Sequence, residues 1–283
     1  MTIKILIDSA SDINKEEAKK LGIEMIPMVI SFGEEEFEDG ITLLPHQFYE
    51  KLIESSDIPK TSQVNPFKFE EKFEELTKDG SEVITITISS KLSNTYNSAK
   101  KAAEKFENKV HVIDSMSACI GERLLAYYAL QLIKENKLST QEIVDELNTK
   151  KSKINVMAAI NTLKYLKKGG RISALTAFAG EILSIKPVVA IVKGEVKMIG
   201  KAMGSKKANN LLNQIIDQKG GIDFDMPFGA IWSGLDKTTL DKYIDDSSSL
   251  WKEHVKEVPS FILGGTIGTH IGPGAVGVAF FEK

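Results

Sequence analysis

Short runs rich in valine and isoleucine return along the first half of this chain, each closed by a polar turn and followed by a segment with helical spacing. "IKILI" (3–7) stops at "DSASD" and precedes "NKEEAKKLG", where Asn14 is placed to cap a helix and Gly22 to end it. The order repeats as "EMIPMVISF" (24–32) before "PHQFYEKLIESS" (45–56), "SEVITITISS" (81–90) before "SNTYNSAKKAAEKF" (93–106), and "KVHVID" (109–114) before a helical segment at 119–137. Strands alternating with helices form a parallel sheet covered on both faces. In such sheets ligands gather beyond the carboxyl ends of the strands, near the amino ends of the next helices. The turns "DSASD", "SSKLSNT" and "DSMSA" fall in that position.

A helix at 139–151 leads into a further strand, "INVMAAI" (154–160), after which the pattern changes. The reading is an α/β protein: an amino-terminal parallel-sheet three-layer domain over residues 1–160, then a smaller α/β domain with a mixed sheet over 161–283. The second part opens with a helix, a Gly-Gly break and a second apolar helix. Two strand-like runs around "KGE" then predict a hairpin, and helix "SKKANNLLNQIIDQ", strand "FGAIWSG", helix "TTLDKYIDDSSSLWKEHV" and strands "SFILGG" and "AVGVAFFE" follow.

Charge narrows the function. Lys and Arg total 36 against 39 Asp and Glu, without a basic block, so the footprint of a nucleic-acid binder is missing. One cysteine, Cys119, allows neither an internal disulfide nor a thiolate metal cluster, and reads as a small buried apolar residue in a reducing compartment. Strand-like sequence meets Asp8 at the amino terminus, and no apolar run approaches the ~20 residues of a membrane span, so a cytoplasmic protein with no integral membrane segment is expected. The four histidines lie far apart, and no metal site or cofactor is expected. Neither a G-x-x-x-x-G-K-[ST] loop nor a G-x-G-x-x-G after a strand occurs.

Four stretches carry candidate chemistry. "KTSQVNP" (60–66) reads as a loop with Asn65 capping the next helix and Pro66 opening it, and also sets Thr61, Ser62 and Gln63 in a row of neutral hydrogen-bonding groups. "SSKLSNTYNSA" (89–99) places Ser93 or Asn94 where free backbone N–H groups favour an anion, with more hydroxyls and amides than capping requires. Asp8, Asp12 and Asp114 are read as turn-setting aspartates rather than Mg²⁺ ligands or general bases. "KKGGRIS" offers Arg171, for an anion, a partner or the surface. "GTHIGPGAVG" (268–277) sets His270, beside Thr269, on what reads as a tight glycine-rich loop. A serine hydrolase acting on a lipid-like substrate through Ser93 remains a competing class, although the G-x-S-x-G elbow is missing.

Together "DSASD" (8–12), "TSQVNP" (61–66), "SSKLSNTYNSA" (89–99), "DSMSA" (114–118), "GGRIS" (169–173), "KP" (186–187) and "IGTHIGPGAVGVAF" (267–280) resemble the DegV family over essentially the full chain. The resemblance implies a non-enzymatic lipid-binding protein that buries a long-chain fatty acid. It further implies that a separate dihydroxyacetone-kinase-like fatty acid kinase takes the presented carboxyl group and makes acyl-phosphate for phospholipid synthesis. By position it assigns Thr61 and Ser93 to the carboxylate, with His270 nearby and Arg171 matching the arginine of the Gly-Arg-Ile motif; Ser62, Asn94 and Thr269 are expected in the same head-group network, and "ALTAFAGEIL" (174–183) is a candidate wall of the tunnel. The pattern departs at Asn94, where glycine is usual, at Val64, where proline is common, and at Ile271, where threonine is common.

Overall fold

A computed structural model describes residues 2–106, 108–172 and 184–283. The proposed wall at 174–183 lies outside these residues, as does Ser173. Strand β1 (Ile3–Asp8) is followed by helix α1 (Lys15–Leu21), which opens on Asn14, whose side chain accepts the N–H of Glu17, and closes on Gly22 at φ 70°. Both ends are as the sequence predicts. Next come β2 (Glu24–Ile26), β3 (Val29–Phe32), β4 (Glu35–Glu38), α2 (Pro45–Glu54), β5 (Lys60–Ser62), α3 (Pro66–Thr77), β6 (Glu82–Thr87), α4 (Thr95–Ala103), β7 (Val110–Asp114), α5 (Ile120–Glu135) and α6 (Thr140–Lys150). Strands β2, β1, β6 and β7 form, in that order, a parallel sheet. Helices α3 and α4 cover one face, and α5 and α6 the other.

Two expectations fail here for a backbone reason. Residues 24–32 are not one strand, because Pro27 has no N–H to continue the ladder. The chain leaves the parallel sheet after Ile26, and β3 starts a separate three-stranded antiparallel sheet between β4 and β5. Residues 60–62, read as loop, are its edge strand, with Thr61 opposite Ile30.

The remaining elements are β8 (Ile154–Ala159), α7 (Lys164–Lys168), β9 (Ile185–Val192), β10 (Glu195–Met203), α8 (Ser205–Gln218), β11 (Phe228–Trp232), α9 (Thr238–Asp246), α10 (Ser248–Trp251), β12 (Ser260–Ile262), α11 (Gly265–Ile271) and β13 (Val276–Phe281). They build a mixed six-stranded sheet ordered β10-β9-β8-β13-β11-β12. The predicted hairpin is present, turning through Lys193 and Gly194, both at positive φ. Strand β8 lies inside this second sheet, hydrogen-bonded to β13 and β9, although the sequence places it in the amino-terminal domain.

Helix α5 fills the space between the two large sheets, touching β1 and β6 on one side and β8, β11 and β13 on the other. Its first turns are buried all round, from Ile120 to Ala126. One apolar cluster therefore runs from Ile5 and Ile7 through Leu124 and Leu125 to Ala158 and Phe281. Strand β13 alternates as a doubly covered strand must: Ala279 and Phe281 join this core, while Val276, Val278 and Phe280 join the one under α8 and α9.

The glycine-rich loop predicted around His270 is instead helical, since His270 belongs to α11. Two of its glycines serve close packing. A Cβ at Gly265 would lie 2.4 Å from Ile30, and one at Gly268 would lie 2.5 Å from Phe48. Backbone freedom is needed only past the helix, at Gly272 and Gly274, with φ of 74° and 81°.

Candidate lipid site

The elements around α5 leave a cavity where the carboxyl ends of the parallel strands face the β9–β10 hairpin. The space between its walls, open solvent at the mouth included, is about 770 Å³, and the lining is predominantly apolar. Ile88 comes from the end of β6, Ala118 and Cys119 from the start of α5, Val156 and Ala158 from β8, Val189, Ile191 and Val196 from the hairpin, and Ile267 and Ile271 from α11. Cys119 is buried, as the sequence suggests, and burial pushes its thiol well above the usual range. It also holds φ at 49° before the first turn of α5, an uncommon conformation for a residue with a side chain.

Thr61, Ser93, Arg171 and His270 all line this cavity. The sequence separates them widely, and three elements bring them together: β5 supplies Thr61, the turn after β6 supplies Ser93, and α11 supplies His270. Thr61 Oγ1 lies 2.9 Å from His270 Nε2. Burial first, and the charge of Arg171 second, push the His270 imidazole down to about 4, so the ring is neutral near pH 7. Its other nitrogen, Nδ1, is buried without a partner among the described residues, pressed against Gly169, where a Cβ would come within 2.2 Å. An N–H left without an acceptor there costs ~1–3 kcal/mol. With the proton on Nε2 the ring donates to Thr61 and leaves the threonine O–H free to donate elsewhere.

Ser93 is held in the same sense. Its Oγ accepts the N–H of Thr95 (3.3 Å) and lies 2.9 Å from Thr95 Oγ1, which itself accepts the N–H of Val64 (3.3 Å). Either hydroxyl can donate in that contact, since each oxygen accepts a backbone N–H and keeps a second lone pair; with Thr95 as the donor, the Ser93 O–H is free for a ligand. The fully buried Thr95 was missed in the sequence, where it reads as one more polar residue of a helix start. No local signal separates it, because one of its partners, the N–H of Val64, lies 31 positions away, beyond α3 and β6.

Arg171 is half-buried; its Nε donates to the Leu92 carbonyl (3.2 Å) and its Nη1 to that of Gly169 (2.5 Å). It thus ties the turn carrying Ser93 to the Gly-Gly segment behind His270. Three of the expected head-group residues stand elsewhere. Ser62 is exposed, on the strand position after Thr61, where alternation turns it the other way. Asn94 is exposed and accepts from Asn97 (2.7 Å). Thr269 is buried with its hydroxyl on the Gly265 carbonyl (2.8 Å), a bond internal to α11. The turn aspartates behave as read at Asp8, which accepts from Ala10 and Ile88, and at Asp114, which accepts from Ser90 and Met116.

A family model described as "Uncharacterised protein, DegV family" matches residues 2–283. The chain belongs to the DegV family. A DegV domain-containing protein of Caldanaerobacter subterraneus is 35% identical over 287 residues, with 99% of each chain covered. Among solved structures, a DegV family protein from Thermus thermophilus, described as fatty-acid-binding, superposes with a TM-score of 0.87 at 30% identity over the whole of both chains. DegV from Bacillus subtilis, described as a fatty acid binding protein, gives 0.84 at 30% identity, again over both whole chains. The departures from the DegV pattern are absorbed without loss of the polar pair. Val64 is buried against the core of α3 and α4, Ile271 adds an apolar side chain to the cavity, and Asn94 faces solvent.

Proposed function

We propose that this protein binds a long-chain fatty acid in the cavity, with its carboxylate on the Thr61 and Ser93 hydroxyls, and presents it to a separate ATP-dependent fatty acid kinase. The observation that carries the reading is that the Thr61 and Ser93 hydroxyls line one apolar cavity, Thr61 beside the neutral His270 and Ser93 beside Thr95, where each can turn its proton to a ligand. An apolar tail of about 14–18 carbons at ~0.8 kcal/mol per CH₂ contributes on the order of 10 kcal/mol before ordering and association costs. The tail supplies affinity, and the head site needs only to orient. Two neutral donors hold a carboxylate without an ion pair, leaving lone pairs for attack on the γ-phosphorus of ATP brought by the partner. Acyl-phosphate then forms as ADP leaves. The fatty-acid binding described for the Thermus and Bacillus proteins supports the ligand class; the kinase partner rests on the family resemblance.

Geometry disfavours a hydrolase. The histidine is bonded to Thr61 and not to Ser93, and its Nδ1 meets no carboxylate among the described residues, so no serine–histidine–acid relay is assembled. Organic extraction of the purified protein followed by mass spectrometry is expected to release fatty acid. Thr61→Ala and Ser93→Ala should each weaken palmitate binding by about tenfold, the worth of a hydrogen bond to a charged group. Extracts free of fatty acid together with unchanged palmitate affinity in both variants would sink the assignment.

A further inference from the structure

Helix α11 carries His270 to Thr61, and its opposite end is gripped by side chains from the first forty residues. The backbone N–H groups of Gly265 and Thr266 donate to the two oxygens of Asp39 (3.1 and 3.2 Å), and that of Gly264 donates to Asp12 Oδ1 (2.7 Å). Tyr49 adds a bond from its hydroxyl to the Leu263 carbonyl (3.0 Å). Asp39 is 2% exposed, and its own N–H is held by the Met28 carbonyl (3.0 Å). Asp12 sits in the left-handed region at φ 59°, with its carbonyl taken by the buried Arg123, which also pairs with Glu17 (2.6 Å). Both carboxylates are therefore fixed by the amino-terminal part, and both clamp a seven-residue helix of the carboxy-terminal part. So short a helix is not held by its own hydrogen bonds, because nucleation is costly.

We infer that Asp39, assisted by Asp12, is a positioning residue for the carboxylate site: by anchoring the leading N–H groups of α11 it sets the Thr61–His270 contact. This rests on the carboxylate reading given above. The clamp lies at the start of the helix and His270 near its end, so a loosened start swings the imidazole away from Thr61 and frees the threonine rotor. The effect falls mainly on the head group, because most of the apolar wall comes from β8, the hairpin and α5, with α11 adding only Ile267 and Ile271.

Palmitate and hexadecanol, which share a tail and differ in the head, separate the roles. The wild-type protein is expected to prefer palmitate. In Asp39→Asn one acceptor is replaced by a donor that faces a backbone N–H, and the preference should shrink about tenfold while hexadecanol affinity stays within about twofold. The ¹⁵N shifts of the His270 ring should move with it. Asp12→Asn, at a half-buried site, should do the same more weakly, and answers the question if Asp39→Asn does not fold. Equal losses for both ligands, or unchanged preference and unchanged His270 shifts, would overturn the positioning role alone. A wild-type protein that does not distinguish the two ligands would overturn the carboxylate reading and the positioning role with it.

Discussion

At the scale of single residues, the site is a matter of which protons are left over. Thr61 and Ser93 are free to donate to a ligand when His270 and Thr95 supply the protons of their mutual contacts. The sequence makes Thr61, Ser93 and His270 visible as polar residues in turn-like settings, but the pairing is hidden, since Thr61 and His270 are 209 positions apart. Gly169 shows the same limit. In the sequence it is half of a helix-breaking pair; in the structure its φ of −76° needs no glycine, and it is the missing side chain that matters, because His270 Nδ1 lies where a Cβ would point. Gly169→Ala is expected to displace the imidazole at a cost of about 1–3 kcal/mol, the usual range for overpacking. Urea unfolding would read that cost, and palmitate titration should show weaker binding; unchanged stability and affinity would mean that the ring has another place to go.

At the scale of elements, hydrophobic spacing and caps located most helices well. Asn14, Asn65 and Ser139 each accept the backbone N–H expected of a cap. The misread elements are those whose pairing is non-local. Residues 60–62 become a strand only because β3 is beside them, and 265–271 become a helix only because Asp12, Asp39 and the ring of Phe48 receive them. Glycine spacing there looks like a loop when the packing surface is unknown. Gly268→Ala tests that explanation: glycine costs a helix up to ~1 kcal/mol relative to alanine, so a free helix would be stabilised. Here the added methyl meets Phe48 and the Tyr49 hydroxyl, and a fall in stability of about 1–3 kcal/mol is expected. A rise in the melting temperature would show that the close approach is not limiting.

At the scale of the whole molecule, the junction between the two sheets collects buried acids. Burial pushes the Asp8 carboxyl up to about 7, with the Asp39 charge adding to it and backbone N–H bonds from Ile88 and Ala10 opposing. Burial likewise raises Asp12, Asp39 and Glu122. A carboxyl raised in the folded state contributes stability that is complete below its unfolded value and lost as pH rises through the folded one. Between about pH 4 and 7 the wild type should therefore lose stability relative to Asp8→Asn, with a slope of up to ~1.4 kcal/mol per pH unit. His270, lowered by burial and Arg171, acts in the opposite sense, its contribution being lost as pH falls from 6.5 toward 4. A Asp8→Asn difference that stays flat in urea titrations across the window would remove Asp8 as a source of the pH dependence. From the sequence alone came the α/β class, the parallel sheet with helices on both faces and the hairpin, because alternation, capping and turn chemistry act between near neighbours; of the seven residues the family resemblance points to, Thr61, Ser93, Arg171 and His270 line the cavity and Ser62, Asn94 and Thr269 do not. Only the tertiary structure decided that β8 joins the second sheet, that α5 is shared between two sheets, and which hydroxyl each donor holds. Those outcomes depend on surfaces meeting across long stretches of chain, where the free energy comes from burial and hydrogen bonds that no local pattern encodes.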